Sequence, residues 1–172
     1  MPAGTPATVA LERAGIAFRV HEFEPRPGER SYGLAAASAL GVEPTRVFKT
    51  LLANVLHGTV HGAVPGASRL TSTVVGMVPV VAQLSMKQLA LAVGAKRAEM
   101  REPVAAERLT GYVVGGISPF GQKRRLTTVI DESCELSDTI FVSGGRRGLD
   151  LELAPADLVT VLDALVAPVA AW

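Results

Sequence analysis

Glycine and proline cut this chain into short segments, and this division limits its fold more than any other feature. There are 17 glycines and 11 prolines among 172 residues, and each segment between them suits one strand or a helix of a few turns. Because short strand patterns alternate with short helix patterns, the sequence predicts an α+β domain built on a mixed, curved β-sheet flanked by short helices. The length predicts a single domain over residues 1–172.

Capping residues and apolar periodicity indicate where the elements lie. Thr5 before Pro6 is typical of a helix start, and Gly15 is typical of the position after a helix end. We expect helices over residues 6–14, 33–40, 85–93, 103–110 and 155–165. We expect strands over residues 16–20, 48–56, 74–80, 112–114, 126–130, 140–143 and 149–153. The stretch 57–73, which contains three glycines and a proline, is expected to be a long hairpin loop.

Residues 48–52 (FKTLL) place one ammonium group at the start of an apolar strand. A hydrophobic strand rarely carries a lysine, because the charge must reach water or a partner. Lys49 is therefore a candidate functional residue.

Two glycine-rich stretches supply candidate partners for Lys49, residues 111–119 (GYVVGGISP) and 142–150 (VSGGRRGLD). Such loops let a ligand approach the main chain and direct N–H groups at an anion or a carbonyl oxygen. Neither has the spacing of a dinucleotide or Walker fingerprint, and each taken alone is more often a tight turn. Asp150 alternates with two leucines, so its carboxylate points away from an apolar face. The ordinary interpretation of such an aspartate is a solvent-facing residue or the ion-pair partner of a nearby arginine.

The net charge of +1 does not fit a protein that binds long nucleic acid unaided. Basic residues are nevertheless clustered at 96–97, 123–125 and 146–147. Such clusters are usually solvated turns, but two of them adjoin the glycine loops, which favours phosphate contact at the rim of a site.

Several chemistries are disfavoured by what the sequence lacks. Cys134 is the one cysteine and lies in an acidic stretch that raises its pKa, so it is a poor nucleophile. The three histidines lack metal-ligand spacing, so we expect no metal and no cofactor. No serine elbow and no convincing carboxylate pair is present, so a nucleophile would come from water or from the substrate. No apolar run or leader pattern argues for a membrane, and a cytoplasmic location is expected.

The three motifs taken together resemble the YbaK branch of the prolyl-tRNA editing superfamily. The resemblance rests on residues 48–52, 110–123 (TGYVVGGISPFGQK) and 142–150, with further support from 78–80, 94–97 and 99–100. It covers nearly the whole chain in order, and it implies the editing-domain fold with a curved, partly barrel-like sheet.

The resemblance also implies an activity, the deacylation of mischarged Cys-tRNA(Pro) in trans beside prolyl-tRNA synthetase. In the family view the substrate's own thiol attacks the ester carbonyl and the amino acid leaves as a thiolactone. Two alternatives stay open: a deacylase that uses water on Ala-tRNA(Pro) or another small mischarged residue, and a non-catalytic module that binds aminoacyl-tRNA or a synthetase.

Site residues follow from the resemblance by position. Lys49 matches a lysine that would hold the phosphate of the terminal adenosine or polarise the ester, and Gly115 matches a glycine whose backbone would stabilise the oxyanion. The positions implied for substrate binding are Phe23, Tyr32, Thr50, Gly116, Ser118, Ser143, Gly145 and Asp150.

Two features depart from the family pattern. Phe23 falls where relatives often carry tyrosine and Tyr32 where they often carry phenylalanine, so a hydroxyl has moved across the expected pocket. The loop at 57–73 is longer than usual by roughly ten residues, a length found in functional or disordered loops.

Overall fold

Five α-helices and ten strands make up the computed structural model over residues 4–28, 30–59 and 69–172, which are the residues it describes. The helices are α1 (Pro6–Arg13), α2 (Tyr32–Leu40), α3 (Met86–Ala92), α4 (Pro103–Thr110) and α5 (Pro155–Leu162). The strands are β1 (Arg19–Glu22), β2 (Phe48–Thr59), β3 (Arg69–Pro79), β4 (Gln83–Leu84), β5 (Arg97–Met100), β6 (Thr127–Asp131), β7 (Ile140–Arg146), β8 (Leu149–Leu153), β9 (Leu165–Ala167) and β10 (Ala170–Ala171). Short 3-10 helices lie at Pro44–Arg46 and Glu132–Leu136.

Helices α1 to α4 begin and end within one residue of the predicted bounds. The Thr5 hydroxyl accepts a hydrogen bond from the Thr8 amide at 3.2 Å, and the Ser85 hydroxyl accepts one from the Gln88 amide at the same distance. The exception is α5, which ends at Leu162 because Asp163 adopts a left-handed conformation with φ 49°. The expected extension of that helix to residue 165 is therefore wrong, and residue 165 begins β9 instead.

The strands form three open sheets, which confirms the α+β class and the mixed sheet. The largest has the order β5-β2-β3-β6-β9, antiparallel from β5 to β3 and parallel from β3 to β9. A second sheet has the order β1-β8-β7, and β4 pairs with β10. Among the described strands, β5 and β9 lie at opposite edges and do not pair with each other, so the expected partly barrel-like closure is not found.

Three strand predictions need correction. The strand predicted to begin at residue 16 begins at Arg19 instead, as β1. Residues 112–114 are not a strand, because the Tyr112 and Val114 amides donate to the side chains of Thr110 and Glu107 at the end of α4 rather than to a ladder. The hairpin of β2 and β3 continues past the predicted strand ends through the pairs Leu56 with Thr71 and Thr59 with Arg69. The predicted loop at 57–73 is thereby shortened, and residues 60–68 of it lie outside the described residues.

The three-stranded sheet has one apolar and one polar face. Leu149, Leu151 and Leu153 alternate along β8 and are buried in the main core. Asp150 and Glu152 therefore lie on the opposite face. No helix in the described part of the chain has the length and hydropathy needed to cross a membrane.

Candidate functional site

The candidate site lies where one edge of β2 has no partner strand. On that edge β5 pairs only with residues 53–56, and at the other end Val47 forms an isolated bridge with Phe141. Because hydrogen bonding alternates along an antiparallel strand, the N–H and C=O of Thr50 point toward this gap. A cleft of about 370 Å³ fills it.

Seven of the ten predicted site residues line this cleft, and three do not. The lining residues are Phe23, Tyr32, Lys49, Thr50, Gly115, Ser143 and Asp150. The three residues that do not line it are Gly116, Ser118 and Gly145. The structure therefore brings together most of the set that the sequence singled out, from β2, β7, β8, the start of α2 and two loops.

The strand register explains why Lys49, Ser143 and Asp150 meet. The bridge between Val47 and Phe141 is parallel, so two residues further along each strand Lys49 and Ser143 are at the same level. Ser143 is in turn the antiparallel partner of Asp150. An ammonium, a hydroxyl and a carboxyl group thus form a row across the floor of the cleft.

Burial changes the acidity of both charged groups in this row. It lowers the pKa of Lys49 and raises the pKa of Asp150, which is 7% exposed, to about 7. Neither group forms an ion pair with a residue that the structure describes. An aspartic acid with such a pKa exists in both protonation states near neutral pH, so it is able to donate or accept a proton there.

Thr50 adds a polar group that is left without a partner. The residue is 8% exposed, and its Oγ1 makes no hydrogen bond to any described residue. A buried hydroxyl without a partner costs free energy, and Thr50 is one of the residues that line the cleft.

Tyr32, Gly115 and Arg147 form the opposite wall. Gly115 has φ 85°, and a β-carbon placed on it would lie 2.7 Å from the Tyr32 ring. The Arg147 guanidinium lies 4.5 Å from the centre of the same ring, and its Nε donates to the Val114 carbonyl at 3.0 Å. The ring therefore joins the two glycine loops through contacts on Gly115 and Arg147.

The three predicted residues outside the cleft shape the loops that border it. A β-carbon on Gly116 would lie 2.8 Å from the Arg146 backbone, so its absence lets the two glycine loops pack together. Ser118 is fully buried and its hydroxyl accepts from the Phe120 amide at 3.3 Å. Gly145 has φ 105° and packs on the Tyr112 ring.

Arginines at the cleft were only partly foreseen from the sequence. Arg147 belongs to the basic pair beside the second glycine loop, which was interpreted as a rim contact, whereas Arg26, Arg30 and Arg101 were not singled out. Arg26 and Arg30 lie in the polar loop before α2, where no sequence pattern marked them as site residues. The position of the Arg101 side chain depends on contacts with two separate strands, which no local sequence pattern reveals.

Within the described ranges, no three His, Cys, Asp or Glu side chains gather where a metal ion could bind.

Comparison of the sequence with known proteins finds a matching family and a similar curated protein. Residues 30–161 match the family described as "Aminoacyl-tRNA editing domain". A protein of Enterococcus faecalis described as "Putative Cys-tRNA(Pro)/Cys-tRNA(Cys) deacylase EbsC" is 32% identical over 157 residues, which are 91% of this chain and 87% of that protein.

Two crystal structures share the fold over almost the whole of each chain. The "putative trans-editing enzyme for prolyl tRNA synthetase" superposes with a TM-score of 0.78 at 22% identity, covering 100% of this chain and 99% of the other. The "hypothetical protein APE2540" superposes with a TM-score of 0.79 at 21% identity, covering 97% and 100%.

Proposed function

The chain belongs to the aminoacyl-tRNA editing domain family, and we propose that it cleaves the ester of mischarged Cys-tRNA(Pro), acting in trans beside prolyl-tRNA synthetase in the cytoplasm. The observation that carries the proposal is the row of Lys49, Ser143 and Asp150 at the open edge of β2. That row sets a positive charge and a titratable carboxyl on either side of the Ser143 hydroxyl, in a cleft large enough for the aminoacyl end of a tRNA.

Lys49 and Gly115 stabilise the charge that develops on the ester oxygen. The ammonium has no ion pair among the described residues, so its charge is free to act on the substrate. The Gly115 N–H makes no hydrogen bond to a described residue, whereas the neighbouring Gly116 N–H already donates to the Val113 carbonyl at 2.9 Å. A positioned cation and an unpaired amide in a partly dry cleft form the kind of site that stabilises an oxyanion.

The nucleophile in this proposal is the cysteine thiol of the substrate. Cys134 lies in the main core, where burial raises the pKa of its thiol to about 11. Ser143 borders the cleft, but no histidine is among the described residues that line it and could serve as a base. The substrate sulfur instead forms a bond to the carbonyl carbon, the bond from that carbon to the ribose oxygen breaks, and a thiolactone leaves. Asp150 accepts the thiol proton and returns it to the ribose oxygen, so that atoms and charges balance.

Substrate comparison tests this chemistry. Cysteinyl, alanyl and seryl esters of tRNA(Pro) are offered to the wild-type protein, and the released products are identified by mass spectrometry, which distinguishes a thiolactone from free cysteine. The proposal expects loss of the cysteinyl ester alone, with a thiolactone as the first product.

One observation favours a second candidate, the hydrolysis of Ala-tRNA(Pro) or another small mischarged residue. Asp150, with its pKa raised to about 7, is also able to act as a general base toward a water molecule as that water attacks the ester. Cleavage of the alanyl ester in the same experiment would select this candidate and overturn the thiol-assisted step.

A further inference from the structure

Arg101 lies where the cleft meets a second groove, and its charge has no acidic partner among the described residues. The second groove is lined by Arg101, Glu102, Val104, Ala105, Arg108 and Leu109. Arg101 is the residue common to both cavities. A cation at such a junction contacts any chain that passes from one cavity into the other.

Neutral groups hold the Arg101 guanidinium in place. Its Nη1 donates to the Asn54 Oδ1 at 2.7 Å and to the Thr73 Oγ1 at 2.9 Å, and the Thr73 hydroxyl itself donates to Asn54 at 3.2 Å. The Arg101 amide also donates to the Leu52 carbonyl at 3.0 Å. The side chain is therefore fixed by β2 and β3 without any loss of its charge.

The described residues neither neutralise the guanidinium nor satisfy all of its donors. The Arg101 Nε is buried and has no hydrogen-bond partner among the described residues, and none of the ion pairs found there involves this arginine. Arg46 and Arg146 differ, since they pair with Glu152 at 3.7 Å and Glu22 at 3.4 Å. A rigid, unneutralised guanidinium with free donors is the usual arrangement for binding phosphate.

The surroundings of Arg101 favour an anion. Lys49 and Arg147 line the same cleft, and the one carboxyl group in its described lining is Asp150, whose pKa is raised. In the second groove Arg108 accompanies Arg101, with Glu102 as the single acidic residue. The path through both cavities is thus mainly positive.

We propose that Arg101 binds a phosphodiester of the single-stranded 3′ end of the substrate, and that the second groove carries this strand away from the cleft. The inference rests on the proposed function, which puts the ester at Lys49. Lys49 and the Leu52 contact of Arg101 are three residues apart on β2, a separation of about 10 Å, so the phosphate belongs to a nucleotide at or next to the ester. The exposed side chains of Met100 and Val104 flank Arg101 and offer apolar surface to a base.

Equilibrium binding tests the phosphate contact without relying on catalysis. The probe is a fluorescent single-stranded RNA ending in CCA, and its dissociation constant is measured by anisotropy over a range of salt. Arg101→Gln is expected to weaken binding about tenfold and to reduce the slope of log K against log salt by about 0.7. Arg97→Gln is the matched control, since this exposed arginine on β5 lines neither cavity, and its binding should equal that of wild type.

A kinetic comparison separates this inference from the proposed function. Arg101→Gln should lose about tenfold in kcat/KM on cysteinyl-CpCpA and nothing on cysteinyl-adenosine, which has no phosphate. Equal losses on both esters, or equal RNA binding by variant and wild type, would overturn the phosphate subsite. If wild type cleaves neither ester while Arg101→Gln still weakens RNA binding, the subsite stands and the proposed function fails.

Discussion

The ring of Tyr32 occupies the space that a β-carbon on Gly115 would need. The two would approach to 2.7 Å, and Gly115 also has φ 85°. Gly115→Ala must therefore shift the loop or the ring, and a displacement of this size at a reacting centre costs about 100-fold in rate. We expect kcat for deacylation to fall by that factor.

Gly94→Ala is the control for this change. Gly94 has φ 70°, but no atom lies within 4 Å of the position of its β-carbon. The variant should lose about 1 kcal/mol of stability from backbone strain and keep its activity. Equal activity in both variants would contradict the role given to the Gly115 loop.

The unpartnered hydroxyl of Thr50 gives a second prediction, in which stability and activity move independently. Thr50→Val removes a buried group that makes no hydrogen bond to the described residues, so the free energy of unfolding should stay constant or rise by about 1 kcal/mol. If the hydroxyl binds substrate, kcat/KM should fall about tenfold. Denaturant unfolding and initial rates measure the two effects.

Thr128→Val offers the opposite pattern. Thr128 is also buried in a strand, but its hydroxyl donates to the Leu126 carbonyl at 3.2 Å. This variant should lose about 1 kcal/mol of stability and retain full activity. A Thr50→Val protein that is destabilised yet fully active would remove Thr50 from the site.

Asp150 predicts a pH dependence of stability. Burial raises the pKa of its carboxyl from 3.8 to about 7, so the folded protein binds more protons than the unfolded chain between these values. The free energy of unfolding therefore falls as pH rises from about 4 to 7, by a few kcal/mol at most. Asp150→Asn should be less sensitive to pH in that window, and urea unfolding at several pH values measures the difference. A slope identical to that of wild type would show that Asp150 titrates normally.

Two substitutions of Tyr32 separate the contribution of its hydroxyl to activity from that of its ring. Tyr32→Phe keeps the contacts with Gly115 and Arg147, so activity should stay within about threefold of wild type. Tyr32→Ala frees the Arg147 guanidinium, whose contact with the ring is worth about 1 kcal/mol, and should lower kcat/KM more. If Tyr32→Phe were as damaging as Tyr32→Ala, the hydroxyl would be the working group.

Sequence alone located the parts of the site that depend on local pattern. Lys49 stands out because a charge interrupts an apolar strand, and the Gly115 loop stands out by composition. The short edge strand β5 was missed because Ala98 is its one buried residue, which leaves almost no alternation to detect.

Features that depend on distant partners could not be predicted. Arg101 is held by Asn54 and Thr73, and their proximity follows from the register of β2, β3 and β5. Ser118 resembles an accessible loop hydroxyl in sequence, yet packing buries it completely. The burial of Asp150 likewise depends on how the second sheet lies against β2, so its raised pKa has no local signal.

The central claim is that Lys49 acts on the ester and not on the fold, and initial rates of Cys-tRNA(Pro) deacylation test it most directly. Wild type, Lys49→Ala and Lys87→Ala are compared, the last carrying the same change at an exposed position on α3. We predict that Lys49→Ala loses at least about 100-fold in rate with an unchanged melting temperature, while Lys87→Ala behaves as wild type. Full activity of Lys49→Ala with a normal melting curve would contradict the account.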